Sequence, residues 1–87
     1  MRRYTVVILS AAERQITKLP KNERAKVIAL AENLADDPRP TGCKALHGVL
    51  KGYHRVRTGN YRLIYVIDDD NVIVTVVGVG DRRYIYK

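Results

Sequence analysis

Residues Tyr53 to Asp68 read YHRVRTGNYRLIYVID. Two β-rich runs, Tyr53–Thr58 and Tyr61–Asp68, flank Gly59-Asn60, a two-residue connection whose members tolerate positive φ and so close a tight hairpin. A loop of that length fixes the register: Thr58 opposes Tyr61, Arg57 opposes Arg62, Val56 opposes Leu63 and Arg55 opposes Ile64. Opposed residues share a face. Arg55, Arg57 and Arg62 therefore stand together on one side, and Val56, Leu63, Tyr65 and Ile67 stand on the other, where they can meet helices. His54 turns with the apolar set and reads as a partly buried structural residue.

Outward from the hairpin, Asp69-Asp70-Asn71 makes a turn, and Val72–Val79 is nearly continuous in β-branched residues, the mark of a central strand buried on both faces. The chain then continues as the basic, aromatic tail DRRYIYK. On the other side, residues 38–52 mix Pro, Gly and polar residues with Leu46 and Leu50, which predicts a loop pinned to the core by two leucines. Before it, Val27, Leu30, Ala31 and Leu34 recur at three and four residues and predict a helix from about Asn22 to Ala35. Ser10-Ala-Ala-Glu13 has capping-box spacing and opens a shorter helix with the stripe Ala12, Ile16 and Leu19, broken by Pro20. Tyr4–Leu9 is β-branched and too short for a helix, so it is read as a strand. The opening MRRYTVVILSAA imitates a signal peptide, but Glu13 and Arg14 follow at once. The expected architecture is one α+β domain over residues 1–87. In it a helical hairpin covers one face of a four-stranded, largely antiparallel sheet.

Composition narrows the function. Eighty-seven residues exclude separate cofactor and substrate domains, and 46% hydrophobic residues exclude a disordered tail. Sixteen Lys and Arg against nine Asp and Glu give a net charge of +7, which favours a polyanionic partner such as RNA, DNA or an acidic protein. The single cysteine, Cys43, excludes an internal disulfide and fits a reducing cytoplasm. With His47 and His54 it lacks the spacing of a zinc site, and no glycine fingerprint for a nucleotide is present. No metal or cofactor is expected. No apolar stretch is long enough to span a bilayer.

Three arginines crowded on one hairpin face repel one another unless an anion settles among them, although solvation or pairing with Asp68–Asp70 is the commoner fate of such a face. The tail supplies Arg82, Arg83, Tyr84, Tyr86 and Lys87. Arginine interleaved with tyrosine suits RNA, since guanidinium forks grip phosphate oxygens and bases stack on aromatic rings.

At this point GYHRVRTGNYRLIYVIDDDNVIV (residues 52–74) and VVGVGDRRYIY (residues 76–86) resemble the RelE branch of the RelE/ParE toxin superfamily. The resemblance implies a small ribonuclease-like fold and a toxin that enters the ribosomal A site and cuts mRNA there without a cofactor. It implies a cognate RelB-like antitoxin, docking through an amphipathic segment that the pair Ile64 and Val66 could receive. Operator DNA would be bound only by the toxin-antitoxin complex. By motif, Arg62 resembles the arginine that stabilises the cleaved phosphate, Arg82 its partner, Arg55 a basic residue of the preceding strand, and Tyr86 the tyrosine that orients the substrate base. Lys51, Arg57, Arg83, Tyr84 and Lys87 would add RNA contacts. Family members often carry His or Lys where this chain has Asp81, which leaves the proton-transfer group open. ParE-like relatives share the fold and poison DNA gyrase instead, the alternative activity.

Overall fold

The computed structural model describes residues 3–81. In chain order these form β1 (Thr5–Ile8), α1 (Ser10–Thr17), α2 (Lys21–Asn33), β2 (Lys44–Ala45), a 3₁₀ turn over Gly48–Leu50, β3 (His54–Thr58), β4 (Tyr61–Asp68) and β5 (Ile73–Asp81). The strands make one sheet in the order β1-β5-β4-β3-β2. β1 runs parallel to β5, and the other pairs are antiparallel.

Both helices lie on one face. Ala12 and Ile16 of α1 and Val27, Ala31 and Leu34 of α2 meet Val56, Leu63, Tyr65, Val74, Val76 and Val79 in a single buried cluster. The helical stripe at three- and four-residue intervals and the strand alternation at two thus converge on one layer. The hairpin register is the one the Gly59-Asn60 loop dictates, from Thr58 opposite Tyr61 to Arg55 opposite Ile64. Gly59 alone takes positive φ there, at 58°. That places it at the first central position of a type II′ turn, where only glycine fits without strain.

Four details differ from the sequence reading. The sheet has five strands, because Lys44 and Ala45 pair with Arg55 and His54 and cover the outer edge of β3. A two-residue strand is too short to leave a periodic trace, yet it blunts an edge that would otherwise lie open. Ser10 opens α1 without forming the capping box. Leu9 holds the cap position instead, its N–H donating to the Val76 carbonyl at 3.0 Å and its carbonyl accepting the Glu13 N–H at 2.9 Å. The chain passes from sheet bond to helix bond within one residue, so the hydroxyl has no cap to make. Val72 belongs to the turn before β5, at φ 58°, a strained conformation for a β-branched residue. Its carbonyl accepts the Thr5 N–H at 2.9 Å, which holds the turn against β1. Finally, β5 is central but fully buried only toward the helices; Ile73, Thr75 and Val77 are half-buried.

The register of β4 on β5 shifts by one residue, since Ile64 faces Gly78 and Tyr65 faces Val76. Val77 is the extra residue of this bulge. β1 stops at Ile8, opposite Val76, so β5 runs on past its neighbour. There the Gln15 side chain from α1 takes the place of a strand, its Oε1 accepting the Val79 N–H at 2.7 Å. At the other end of the sheet, the Asp69 carboxylate accepts the Tyr4 hydroxyl at 2.6 Å and the Arg39 guanidinium at 2.9 and 3.3 Å. The buried Tyr65 hydroxyl donates to the Pro38 carbonyl at 2.8 Å and moors the α2–β2 loop.

Candidate nucleic-acid interface

The face of the sheet without helices can be read as rows of opposed residues. Nearest the hairpin tip, Arg57, Arg62 and Gly80 form one row. Next come Lys44, Arg55, Ile64 and Gly78. Farther along lie Val66, Thr75 and Val7, and last Asp68, Ile73 and Thr5. The tip half of the face is cationic, and the far half mixes Val66, Val7 and Ile73 with Thr75, Thr5 and Asp68, over a strand length of roughly 20 Å between Arg62 and Asp68.

Beside the cations, β5 presents Gly78 and Gly80, residues without side chains. These glycines add no side chain of their own next to the bank of guanidinium and ammonium groups. A Cβ built on Gly78 would come into ordinary van der Waals contact with the Gln15 Oε1, at 4.0 Å. Arg55 and Arg62 are half-buried and Arg57 is exposed, which pre-orders the first two against the sheet. Two carboxylates at the far end of the sheet are engaged there. Asp69 is held by Tyr4 and Arg39, and Asp68 accepts the Asn71 N–H at 3.0 Å and the Asn71 amide at 2.8 Å. Those bonds hold the Asp68 carboxyl below its usual range.

His54 lies on the opposite face, as the register requires. Its ring stacks on Tyr65 at a centroid distance of 5.7 Å, and its Nδ1 is buried with no hydrogen-bond partner among the described residues. Burial first, and the nearby Arg39 charge second, push its pKa below the ordinary value, against a weaker pull from Asp69. It is a neutral structural ring, separated from the arginines by the thickness of the sheet. Tyr65 is likewise held protonated, by burial and by the neighbouring Cys43. An open hollow of about 430 Å³ runs along α1 beside Ser10, Glu13, Arg14, Thr17 and Lys18. Its lining among the described residues comes from α1 and the Lys18 that caps it, and includes none of the arginine bank.

Of the residues expected from sequence to form a site, the structure brings together Arg55, Arg57 and Arg62. Lys51 is exposed and precedes β3 at the end remote from the hairpin tip, away from that group. Arg82, Arg83, Tyr84, Tyr86 and Lys87 lie outside the described residues, and Asp81 closes β5 opposite Tyr61. Ile64, expected to help receive a partner, is only 7% exposed. The open apolar surface is instead Val66 with Thr75 and Val7, the last 40% exposed. Lys44 joins the cationic rows unannounced. Its one sequence signal is a lysine between the half-buried Cys43 and Leu46 in a segment that otherwise reads as loop.

An α+β sheet with one helix-covered face and one cationic face, closed by this hairpin, is the architecture of the small toxins of type II toxin-antitoxin systems. The family described as "ParE toxin of type II toxin-antitoxin system, parDE" matches residues 6–86, and the chain belongs to it, within the RelE/ParE superfamily. It is 38% identical to Toxin RelG of Mycobacterium tuberculosis over 97% of both chains. It is 32% identical to Toxin RelE of the same organism, over 97% of this chain and 87% of that one. Among solved structures it superposes on the toxin-antitoxin complex RelBE2 of M. tuberculosis with a TM-score of 0.83 at 36% identity, covering 92% of this chain and 99% of that one. The isolated Escherichia coli RelE toxin shares the fold, with a TM-score of 0.75 at 24% identity over 90% of this chain and 83% of that one.

Proposed function

We propose that this toxin is a metal-independent endoribonuclease that cuts mRNA in the ribosomal A site, and that a cognate RelB-like antitoxin silences it in the cytoplasm. The observation that carries the reading is the gathering of Arg55, Arg57 and Arg62 on the helix-free face beside the glycines of β5. The relatives named RelG and RelE support it. So does the solved complex of a RelE-type toxin with its antitoxin.

The chemistry asked of such a face is electrostatic and geometric. The 2′-oxygen of the RNA attacks the adjacent phosphorus in line with the departing 5′-oxygen, and negative charge grows on the phosphoryl oxygens. Arg62 meets that charge with donors already oriented by the sheet, which is where preorganised electrostatics act most strongly. Arg55 holds the flanking backbone, and Arg82, next in sequence to Asp81, adds the second guanidinium, with Tyr86 stacking on the base. His54 has no part in proton transfer, because it stands on the other face. The ribosome supplies the substrate geometry and the missing proton acceptor.

An acidic, amphipathic antitoxin segment finds an apolar seat at Val66, Thr75 and Val7 next to the cationic rows, so one ligand covers both halves of the face. The family name favours a second reading, poisoning of DNA gyrase. Induced expression of wild type and Arg62→Ala, followed by primer extension on a translated message, separates the two. Discrete cuts in the message that vanish in the variant support the nuclease. Intact message with DNA breaks overturns it in favour of gyrase.

A further inference from the structure

We propose that Lys44 is an RNA-binding residue of this toxin, carried to the site by the edge strand β2 and gripping a phosphate next to the scissile one. The inference rests on the nuclease reading and adds to it a residue that no sequence motif marks. Three observations converge on it. First, Lys44 faces Arg55 directly across β2 and β3, and directly opposed residues share a face. Lys44 therefore stands on the helix-free side with Arg55, Arg57 and Arg62. Second, Lys44 is exposed, and neither its side chain nor that of Arg55 makes a hydrogen bond or ion pair among the described residues. Two like charges held opposite each other are a standing repulsion that a shared phosphate relieves. Third, the position is fixed by backbone pairing. Two strand spacings carry the bank from β4 to β2, about 10 Å across the sheet. That extends it beyond a single phosphate and along a strand of RNA.

The ammonium group is suited to binding and not to the chemical step. It is a compact point charge on a flexible stem, two strands away from β4, whereas Arg62 lies on β4 itself, opposite Gly80. Lys44 should thus contribute to affinity and its salt dependence, with the rate of the bound complex untouched. β2 is a two-residue edge strand held by backbone bonds, so truncating an exposed side chain there leaves the fold intact.

The test is binding of the full chain to a labelled single-stranded RNA oligonucleotide between 50 and 200 mM salt, with wild type, Lys44→Ala, Lys44→Arg, Arg62→Ala and Lys21→Ala. The last removes the same charge from the exposed start of α2, on the helical side. The expected result for Lys44→Ala is affinity roughly three- to tenfold weaker at low salt and a salt slope shallower by about 0.7, one single-strand phosphate contact. Lys44→Arg should match wild type, and Lys21→Ala should stay within twofold. Cleavage on programmed ribosomes should show a raised KM at unchanged kcat for Lys44→Ala.

If Arg62→Ala weakens binding while Lys44→Ala equals wild type, or loses no more than Lys21→Ala, this proposal falls and the nuclease reading stands. A drop in kcat at constant KM overturns it too, since Lys44 would then act in the chemical step. So does unchanged RNA affinity with weakened binding of polyglutamate, which would assign Lys44 to an acidic protein. Wild type without salt-sensitive RNA binding overturns this proposal, while the nuclease reading stands or falls with the cuts in a translated message.

Discussion

Arg62 and Leu63 are neighbours on β4, and they belong to different problems. Leu63 is fully buried among the helices, in the cluster that makes the sheet hold its layer. Arg62 faces the other way, directly opposite Arg57 and beside Gly80. One strand thus carries two codes at alternate positions, one for folding and one for binding an anion. The cationic code is stability-neutral at best, because like charges opposite each other on a sheet oppose folding. A cationic face built by three adjacent strands is where the proposed nuclease reading seats its anion.

Substitutions should separate the two codes. Arg62→Ala is expected to lower message cleavage by roughly a hundredfold or more, the usual loss of one preorganised donor, while Tm shifts by no more than a few degrees. Equal loss of melting temperature and activity would erase the distinction. Leu63→Ala should do the reverse. Removing a fully buried leucine costs about 2–5 kcal/mol, lowering Tm by about 10 °C or more, with activity per folded molecule preserved at low temperature. A calorimetric scan beside single-turnover cleavage reads both.

Gln15 sharpens the comparison, since it serves the folded layer from the helical side and steadies the strand that floors the site. Gln15→Met keeps the volume, loses the acceptor for the part-buried Val79 N–H and should cost about 1–2 kcal/mol. Gln15→Glu keeps an acceptor oxygen and should recover most of it in denaturant titration. On the cationic face, Arg57→Gln removes one of two directly opposed guanidinium groups and should raise stability by a few tenths of a kcal/mol while weakening RNA binding. A stabilised variant that binds RNA as tightly as wild type would mean Arg57 is solvated surface.

The smallest effect concerns pH. The folded-state pKa of His54 lies below its unfolded value, so the unfolded chain takes up its proton first as pH falls. Its contribution is complete above about pH 6.5 and is lost progressively as pH falls toward the depressed folded value. His54→Gln should therefore flatten the pH dependence of unfolding free energy below about pH 6.5. Cleavage on the far face should keep the wild-type pH profile.

The faces and the hairpin register were legible in the sequence because glycine at the tip leaves one tight turn, and every later alternation follows from it. The helix pair was legible for the same kind of reason, in the spacing of Val27, Leu30, Ala31 and Leu34. β2 was not, since two residues are recruited by the edge of β3 and carry no period of their own; with β2 went Lys44. The capping box misled because Leu9 serves sheet and helix at once, and Val72 because β-branching signals a strand even where tertiary contacts hold the residue in a turn. The site reading reached Arg55, Arg57 and Arg62 through register alone. The roles of Arg82 and Tyr86 rest on motif likeness.

The parallel pairing of β1 with β5 orders events in time. Thr5 must find Ile73, 73 − 5 = 68 positions later in the chain. The hairpin of β3 and β4, by contrast, closes across two residues. Closing the longer loop is entropically dearer and waits for contacts that reward it, so the expected order is the hairpin first and β1 last. Until that late step, the apolar side of β1 has no seat, and the nascent molecule offers a hydrophobic thread to any chaperone within reach.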